Sequence, residues 1–283
     1  MSVSARVRTD MRPALTFTLD LEDHRDRRDA PARYPAITRE LLQWLAELGV
    51  RGTFFVVGEV AAAAPALIRE VAAAGHEVAL HSYDHKPLTM ITPARFRDDT
   101  LRGRALLQDL TGQPISGYRA PVFSLTPASR WAVAILAELG FSYSSSVLAA
   151  PHPLYGYAGL PSAPFQWPEG LLELPAPLAR LGPWRLPYLG GFYLRYLPLP
   201  LIQWLRARAP RDELPWTYCH PYDFDVDEAF TPMRDAALWV SLLLWCRRRG
   251  TRLKLARLLA DGCAPPFATQ IARGDFAQVP RLV

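Results

Sequence analysis

Short apolar runs alternate with longer amphipathic stretches along much of this chain, which predicts alternating strands and helices. The first apolar run, residues 14–19, ends at an acidic group that begins with Asp20, as is typical of a buried strand opening into a polar loop. Leucines at positions 41, 42, 45 and 48 share one helical face, with Thr38 as the expected cap and Gly49 as the expected end. A β-rich run at 52–57 follows.

The same unit then recurs along the chain. The predicted pairs are a helix at 65–74 with a strand at 77–80, a helix at 92–110 with a strand at 115–118, and a helix at 127–139 with a strand at 141–147. Repeated alternation of this kind predicts an α/β fold with a parallel sheet, either open or closed into a barrel.

Prolines interrupt the pattern from about 150 to 200, which predicts an irregular insertion. Regularity returns with a predicted helix at 201–209, a strand at 216–219 and a helix at 235–249, and residues 230–283 read as a helical extension. Because no Gly/Ser-rich linker separates two halves, we expect one domain over residues 1–283.

Composition narrows the classes of partner. The net charge of +5 is modest and the arginines are scattered, which argues against nucleic acid as a ligand. Three cysteines without a short paired spacing imply neither a disulfide framework nor a cysteine-rich zinc site. No signal peptide or run of about 20 apolar residues is seen, so we expect a cytoplasmic protein. The basic, aromatic run 192–211 would suit peripheral contact with the inner face of a membrane.

Polar residues stand where successive predicted strands end. Asp20, His81 and Arg119 each follow such a strand, and the carboxyl ends of parallel strands face one side of a sheet. His81 and His85 would share a side if the chain makes a helical turn after its strand. Two imidazoles and one carboxylate form a three-ligand site for a divalent cation and leave positions open for water or substrate.

Four segments in this order resemble the polysaccharide deacetylase family, also called the NodB-homology group or carbohydrate esterase family 4. They read TFTLDLED from Thr16, HSYDH from His81, RAPVFS from Arg119 and YCHP from Tyr218. The branch found beside bacterial exopolysaccharide loci is more similar still, since it carries Asp-x-Glu-Asp and His-Pro-x-x-x-Asp motifs. Its glycine-aromatic-arginine segment resembles residues 190–195.

The resemblance implies a distorted (β/α) barrel of about seven parallel strands and a hydrolase that removes an acyl group, usually acetyl, from an amino sugar. Asp20 would be the general base, Arg119 would orient it, and His220 would protonate the leaving group. His81 and His85 would hold a divalent metal, with zinc expected and other transition metals open. The substrate would be a bacterial polysaccharide, an oligosaccharide or a lipid-linked glycan.

The third metal ligand is left open. The commonest family motif has two adjacent aspartates, whereas here Leu21 follows Asp20 and the next carboxylates are Glu22 and Asp23. Glu22 shares a face with Asp20 on an extended strand, but a turn at Leu21 would bring Asp23 to the ion, and we slightly favour Asp23.

The resemblance also implies a set of substrate-binding residues: Tyr118, Pro121, His152, Arg195 and Asp225. A second departure from the family is Ser144, which stands where relatives often carry an aspartate near the catalytic groups. Two other functions are compatible with the motifs. An O-acetyl esterase would use the same machinery, and a catalytically silent glycan-binding protein could share the fold. The oligomeric state is not predicted.

Overall fold

The computed structural model describes residues 13–25, 31–152, 155–182, 184–233 and 237–283. The strands are β1 (Leu15–Thr16), β2 (Thr18–Leu21), β3 (Thr53–Val56), β4 (Glu77–Leu80), β5 (Gly117–Tyr118), β6 (Tyr143–Ser144), β7 (Phe165–Gln166), β8 (Leu172–Glu173), β9 (Leu178–Leu181), β10 (Trp184–Pro187) and β11 (Cys263–Ala264). The helices are α1 (Tyr34–Glu47), α2 (Gly58–Ala63), α3 (Pro65–Ala73), α4 (Pro93–Thr111), α5 (Trp131–Glu138), α6 (Gly191–Tyr196), α7 (Leu199–Arg208), α8 (Leu238–Trp245), α9 (Thr251–Ala260) and α10 (Phe267–Ala272).

A seven-stranded sheet organises the molecule, in the order β2-β3-β4-β5-β6-β8-β7. Six of these strands are parallel and β7 runs antiparallel to β8. The predicted α/β class with a mainly parallel sheet is therefore confirmed. On the outer side of β2, residues 216–219 add parallel bridges to Thr16 and Leu19 in place of the continuous strand that we predicted.

The sheet is buried on both faces, as a mainly parallel sheet must be. Every residue of β2 and β3 is buried, and the helices that follow each strand cover the sheet with apolar side chains. In α3 the buried residues are Leu67, Ile68 and Val71, which lie on one helical face. Gly75 ends this unit with a positive φ of 80°, the left-handed conformation expected at a helix stop.

Several predicted boundaries were wrong. Helix α1 begins at Tyr34 with a proline in its first turn, so Thr38 is a buried interior residue and does not cap the helix. The strand predicted at 141–147 pairs only at Tyr143–Ser144. The two serines that follow bond to the next segment of the sheet: Ser145 Oγ donates to the Leu174 carbonyl at 3.0 Å, and the Ser146 N–H donates to Glu173 Oε1 at 2.7 Å.

The proline-rich region 150–200 is more ordered than predicted, because it contains β7 to β10, all of α6 and the start of α7. The helix predicted at 235–249 is shorter, since α8 ends at Trp245 and residues 234–236 lie outside the described part of the chain. The expectations for residues 1–12 also fall outside it.

Candidate active site

The strand ends bring the predicted polar residues together. Asp20 lies on β2, His81 follows β4 and Arg119 follows β5, while His220 follows the bridged segment 216–219. The Asp20 Oδ2 atom lies 3.9 Å from His81 Nε2 and 4.0 Å from His220 Nε2. Residues that are separated by up to 200 positions thus share one small volume because parallel strands present their carboxyl ends together.

Glu22, His81 and His85 form a set that could hold a metal ion, with one ligand atom from each lying within 4.8 Å of the others. His81 Nδ1 donates to the Arg119 carbonyl at 2.9 Å, which leaves the Nε2 lone pair for a ligand. Burial lowers the pKa of His81 to about 4, so this ring is neutral at physiological pH, as metal binding requires.

The loop after β4 does not make the helical turn that we expected. Ser82 and His85 have positive φ angles of 60° and 57°, and the His85 N–H donates to Ser82 Oγ at 3.0 Å. This turn places the two imidazole rings 5.0 Å apart. Left-handed non-glycine residues cost on the order of 1–3 kcal/mol each and are typical of functional sites.

The positions of Glu22 and His85 fit a shared divalent cation. Glu22 Oε2 and His85 Nε2 are buried and lie 2.6 Å apart, and neither atom has a hydrogen-bond partner. Buried polar atoms without partners are uncommon, and a shared divalent ion would satisfy both. Burial raises the pKa of Glu22, but the nearby His85 and His220 outweigh it and hold this pKa well below its usual range.

The carboxylates of Glu22 and Asp23 point to different partners. Glu22 shares the inward face of its strand with Asp20, whereas the Asp23 carboxylate turns to Arg25, whose Nε donates to Asp23 Oδ1 at 2.8 Å. Our slight preference for Asp23 as the third ligand is therefore not supported by the geometry. The chain does not turn at Leu21, which is the last residue of β2.

Arg119 fixes the carboxylate of Asp20. Its Nη1 donates to Asp20 Oδ1 at 2.6 Å and to Thr18 Oγ1 at 2.9 Å, and the side chain is completely buried. The guanidinium lies 3.8 Å from the ring centroid of Phe55 and 4.3 Å from that of Trp216. This packing and the hydrogen bonds restrict the guanidinium, which in turn orients the Asp20 carboxylate.

Asp223 contacts His220 on the side of the ring that faces away from Asp20. The sequence analysis missed this residue. The Asp223 Oδ2 atom lies 3.0 Å from His220 Nδ1 and accepts the His220 backbone N–H at 2.9 Å. His220 Nε2 therefore faces the centre, 3.8 Å from Glu22 Oε1. Burial lowers the pKa of His220, but Glu22 and Asp223 outweigh it and raise the pKa to about 9, so the ring carries a proton at neutral pH.

Asp223 is itself held by the segment that resembles the family's glycine-aromatic-arginine stretch. Arg195 Nε lies 3.2 Å from Asp223 Oδ1, and both side chains are completely buried. A Cβ atom on Gly191 would lie 1.8 Å from Asp223 Oδ2, so only glycine fits there. The signal that could have revealed Asp223 is its position three residues after His220, within reach of a single turn.

Most of the residues expected to bind substrate are buried. Tyr118, Pro121, Arg195 and Asp225 are buried, and Arg33 forms a two-pronged ion pair with Asp225 at 2.6 and 2.8 Å. Their burial argues for support of neighbouring groups rather than direct contact with a ligand. His152 is exposed, and its Nδ1 accepts the Tyr155 N–H at 3.3 Å.

The second departure from the family motif has a local explanation. Ser144 donates to Ser146 at 2.8 Å and is buried away from solvent, while the neighbouring Ser145 hydroxyl accepts from Arg119 Nη2 at 3.0 Å. Ser145 thus contacts the Arg119 side chain directly, whereas Ser144 contacts the neighbouring Ser146.

A cavity of about 760 Å³ opens beside Glu22. It lies between residues 22–25 and 31–33 on one side and residues 222–233 and 241–248 on the other, and its lining includes Arg33, Tyr222, Trp245 and Arg248. A pocket of this volume with aromatic and charged walls suits a ligand the size of one or two sugar rings.

The family comparison agrees with the motifs. Residues 17–144 match the Polysaccharide deacetylase family. This part of the chain is a polysaccharide deacetylase domain. Residues 145–269 match a second family, described as Domain of unknown function (DUF3473). The polysaccharide deacetylase domain supplies Asp20, the three candidate metal ligands and Arg119, and the second segment supplies His220 and its support.

Relatives support the same assignment. A chitooligosaccharide deacetylase of Bradyrhizobium sp. (strain ANU 289) is 36% identical over 88 residues, which is 31% of this chain and 40% of that protein. The chain spans less than half the length of the curated relatives it matches.

Solved structures share the fold. A structure described as a candidate polysaccharide deacetylase from Mycobacterium smegmatis has a TM-score of 0.63 and 24% identity over 99% of this chain and 97% of that one. A pseudoenzyme of carbohydrate esterase family 4 from Bacillus anthracis has a TM-score of 0.53 and 12% identity over 96% of this chain and 67% of that one. At these identities the likeness concerns the fold alone.

Proposed function

We propose that this protein is a metal-dependent hydrolase that removes an N-acyl group, acetyl in the first instance, from an amino sugar in a bacterial polysaccharide, oligosaccharide or lipid-linked glycan. The observation that carries the proposal is the arrangement around the Glu22, His81 and His85 set. The Arg119-bound carboxylate of Asp20 lies on one side of it, and the Asp223-bound imidazole of His220 lies on the other.

Glu22, His81 and His85 would hold the metal, and a bound divalent ion such as zinc would act as a Lewis acid toward the acyl carbonyl. Asp20 takes the proton of the attacking water, and Arg119 keeps its carboxylate aimed at that water. His220 carries a proton toward the sugar nitrogen, which leaves as an amine once the C–N bond breaks. Base and acid are thus separate groups, each held by its own buried partner.

An acetate-release assay tests the proposal on paired N-acetylated and O-acetylated glucosamine oligosaccharides, with the protein loaded in turn with zinc, cobalt and manganese. We expect release from the N-acetylated substrate. Release from the O-acetylated substrate alone would establish an esterase, since only the leaving atom differs between the two reactions.

Asp20→Asn is the matched variant, because it keeps the shape of the side chain and a partner for Arg119 but removes the base. We expect turnover to fall by about a hundredfold or more while zinc still binds. Absence of acid release from every substrate, with metal bound and Asp20 intact, would instead indicate a glycan-binding protein without catalytic activity.

A further inference from the structure

Helix α8 exposes an apolar face to solvent. Its sequence, LWVSLLLW, contains one polar residue, and that residue, Ser241, is the buried one. Leu238, Trp239 and Leu242 are 58%, 68% and 39% exposed, respectively. Since these positions are three and four apart, they form one continuous surface, which we call the α8 face. Large contiguous apolar surface is unusual on a soluble protein and marks an interaction site.

The residues around this helix are basic. From residue 236 to residue 260 the chain contains five arginines and one lysine and no acidic residue. Arg247 and Arg249 directly follow α8 and are exposed. An exposed apolar helix with a tryptophan and adjacent exposed arginines matches the composition of a helix that lies in the interface of a membrane with anionic headgroups.

The length of α8 favours a helix that lies on the membrane surface over one that crosses the bilayer. Eight residues of α-helix extend about 12 Å, less than half of the hydrocarbon thickness of a bilayer. None of the helices in the described ranges is long and apolar enough to span a membrane. Within the run 192–211, which we expected to make such contact, α6 packs inward with Leu194 and Arg195 buried, whereas Leu201 and Trp204 on α7 are 37% and 43% exposed.

The α8 face adjoins the cavity beside Glu22. Ser241, Leu244 and Trp245 line that cavity from α8, and Met233 lines it as well while remaining 41% exposed. The Met233 N–H donates to Ser241 Oγ at 3.0 Å, which fixes the preceding segment against the helix. A surface that rests on α8 would therefore lie beside the entrance to the candidate active site.

We infer that the α8 face docks this protein on an anionic lipid bilayer, with Trp239 and its two neighbouring leucines in the interface and Arg247 and Arg249 at the headgroups. The docking itself does not depend on the proposed deacetylase activity. If that activity holds as well, the placement of the cavity suits a glycan carried on a lipid, a consequence that rests on the proposed function.

Co-sedimentation of the purified protein with phosphatidylcholine vesicles, with and without phosphatidylglycerol, tests the docking and needs no substrate. We expect the wild type to bind the anionic vesicles more tightly than the neutral ones. Trp239→Glu combined with Leu242→Glu should weaken binding by about tenfold or more, because both side chains leave the apolar interface. Arg249→Glu should weaken binding to the anionic vesicles selectively.

Leu101→Glu is the matched control, since Leu101 is 46% exposed on α4, and it should bind vesicles like the wild type. Light scattering on the same samples reports the oligomeric state, and circular dichroism reports the fold of each variant. Wild-type protein that binds neither kind of vesicle would overturn the inference. A dimer that the α8 double variant converts to a monomer would also overturn it, and would assign this face to a second copy of the chain.

Discussion

Glu22 and Asp23 differ in what their carboxylates already contact. Asp23 is neutralised by Arg25, whereas Glu22 faces two imidazoles with one oxygen that lacks a hydrogen bond. We therefore predict that Glu22→Gln weakens zinc binding by at least about a hundredfold, since changes in outer-shell partners alone cost tenfold to a hundredfold. Asp23→Asn should bind zinc like the wild type. Equilibrium dialysis against zinc measures both, and the opposite order would make Asp23 the ligand.

Asp223 sets the direction of His220 because it contacts both the ring nitrogen and the backbone N–H of that residue. We predict that Asp223→Asn lowers kcat on the order of a hundredfold, because the ring loses the carboxylate that orients it and favours its protonated form. KM and zinc content should change little. Steady-state kinetics on the zinc-loaded variant check this, and an equal loss in His220→Ala and the double variant would show that the two residues act together.

Helix α4 is the longest helix in the described residues, and it begins where the sequence predicted. Thr92 is extended at the N-terminus and its Oγ1 accepts the Arg95 N–H at 3.3 Å. We predict that Thr92→Ala lowers the free energy of unfolding by about 1 kcal/mol, because one N–H of the first turn loses its acceptor. Urea denaturation measures the change. Thr92→Ser, which keeps the hydroxyl, should recover most of it.

Helices that end at a glycine were predicted well, whereas strands too short to show a hydrophobic pattern were not. The glycine stops fixed helix ends, since they act through the conformation of a single residue. Strands β7 and β8 are only two residues long, so periodicity had too little length to predict them. Their positions depend on the pairing of β8 with β6 and of β7 with β8.

At the scale of the whole molecule, a buried histidine makes stability depend on pH. His76 is 4% exposed, its Nδ1 accepts the Gly52 N–H at 3.0 Å, and burial with nearby Arg51 lowers its pKa to about 4. Below pH 6.5 the unfolded chain gains a proton at this residue while the folded protein does not. Stability is therefore lost as the pH falls from about 6.5 to about 4, by about 3 kcal/mol at the lower end.

His76→Asn tests this because the Asn oxygen can accept the same N–H without titrating. We predict that the variant loses less stability than the wild type between pH 7 and pH 4, and urea denaturation of the metal-free proteins across that range measures it. His152→Asn is the control, since His152 is exposed, and it should keep the wild-type pH dependence. Parallel curves for wild type and His76→Asn would contradict the prediction.

The whole molecule also joins two family segments in one site. The sheet continues across the boundary near residue 144, where β6 pairs with β8, and residues 216–219 return to the edge of β2. Asp20 and the candidate metal ligands come from the first segment, and His220, the candidate acid, comes from the second. One domain stays our expectation, and neither segment alone holds the full set of candidate site residues.

The sequence by itself predicted the α/β class and the order of the strand and helix units, and its resemblance to a family pointed to Asp20, His81, His85, Arg119 and His220 as site residues. The fold predictions follow from short-range patterns: apolar periodicity, glycine stops, and polar groups at the ends of strands. Only the tertiary structure favoured Glu22 over Asp23, showed that Asp223 holds His220, and exposed the α8 face. Each of these depends on which distant side chain or solvent a residue meets, and that is decided by packing between segments far apart in the chain.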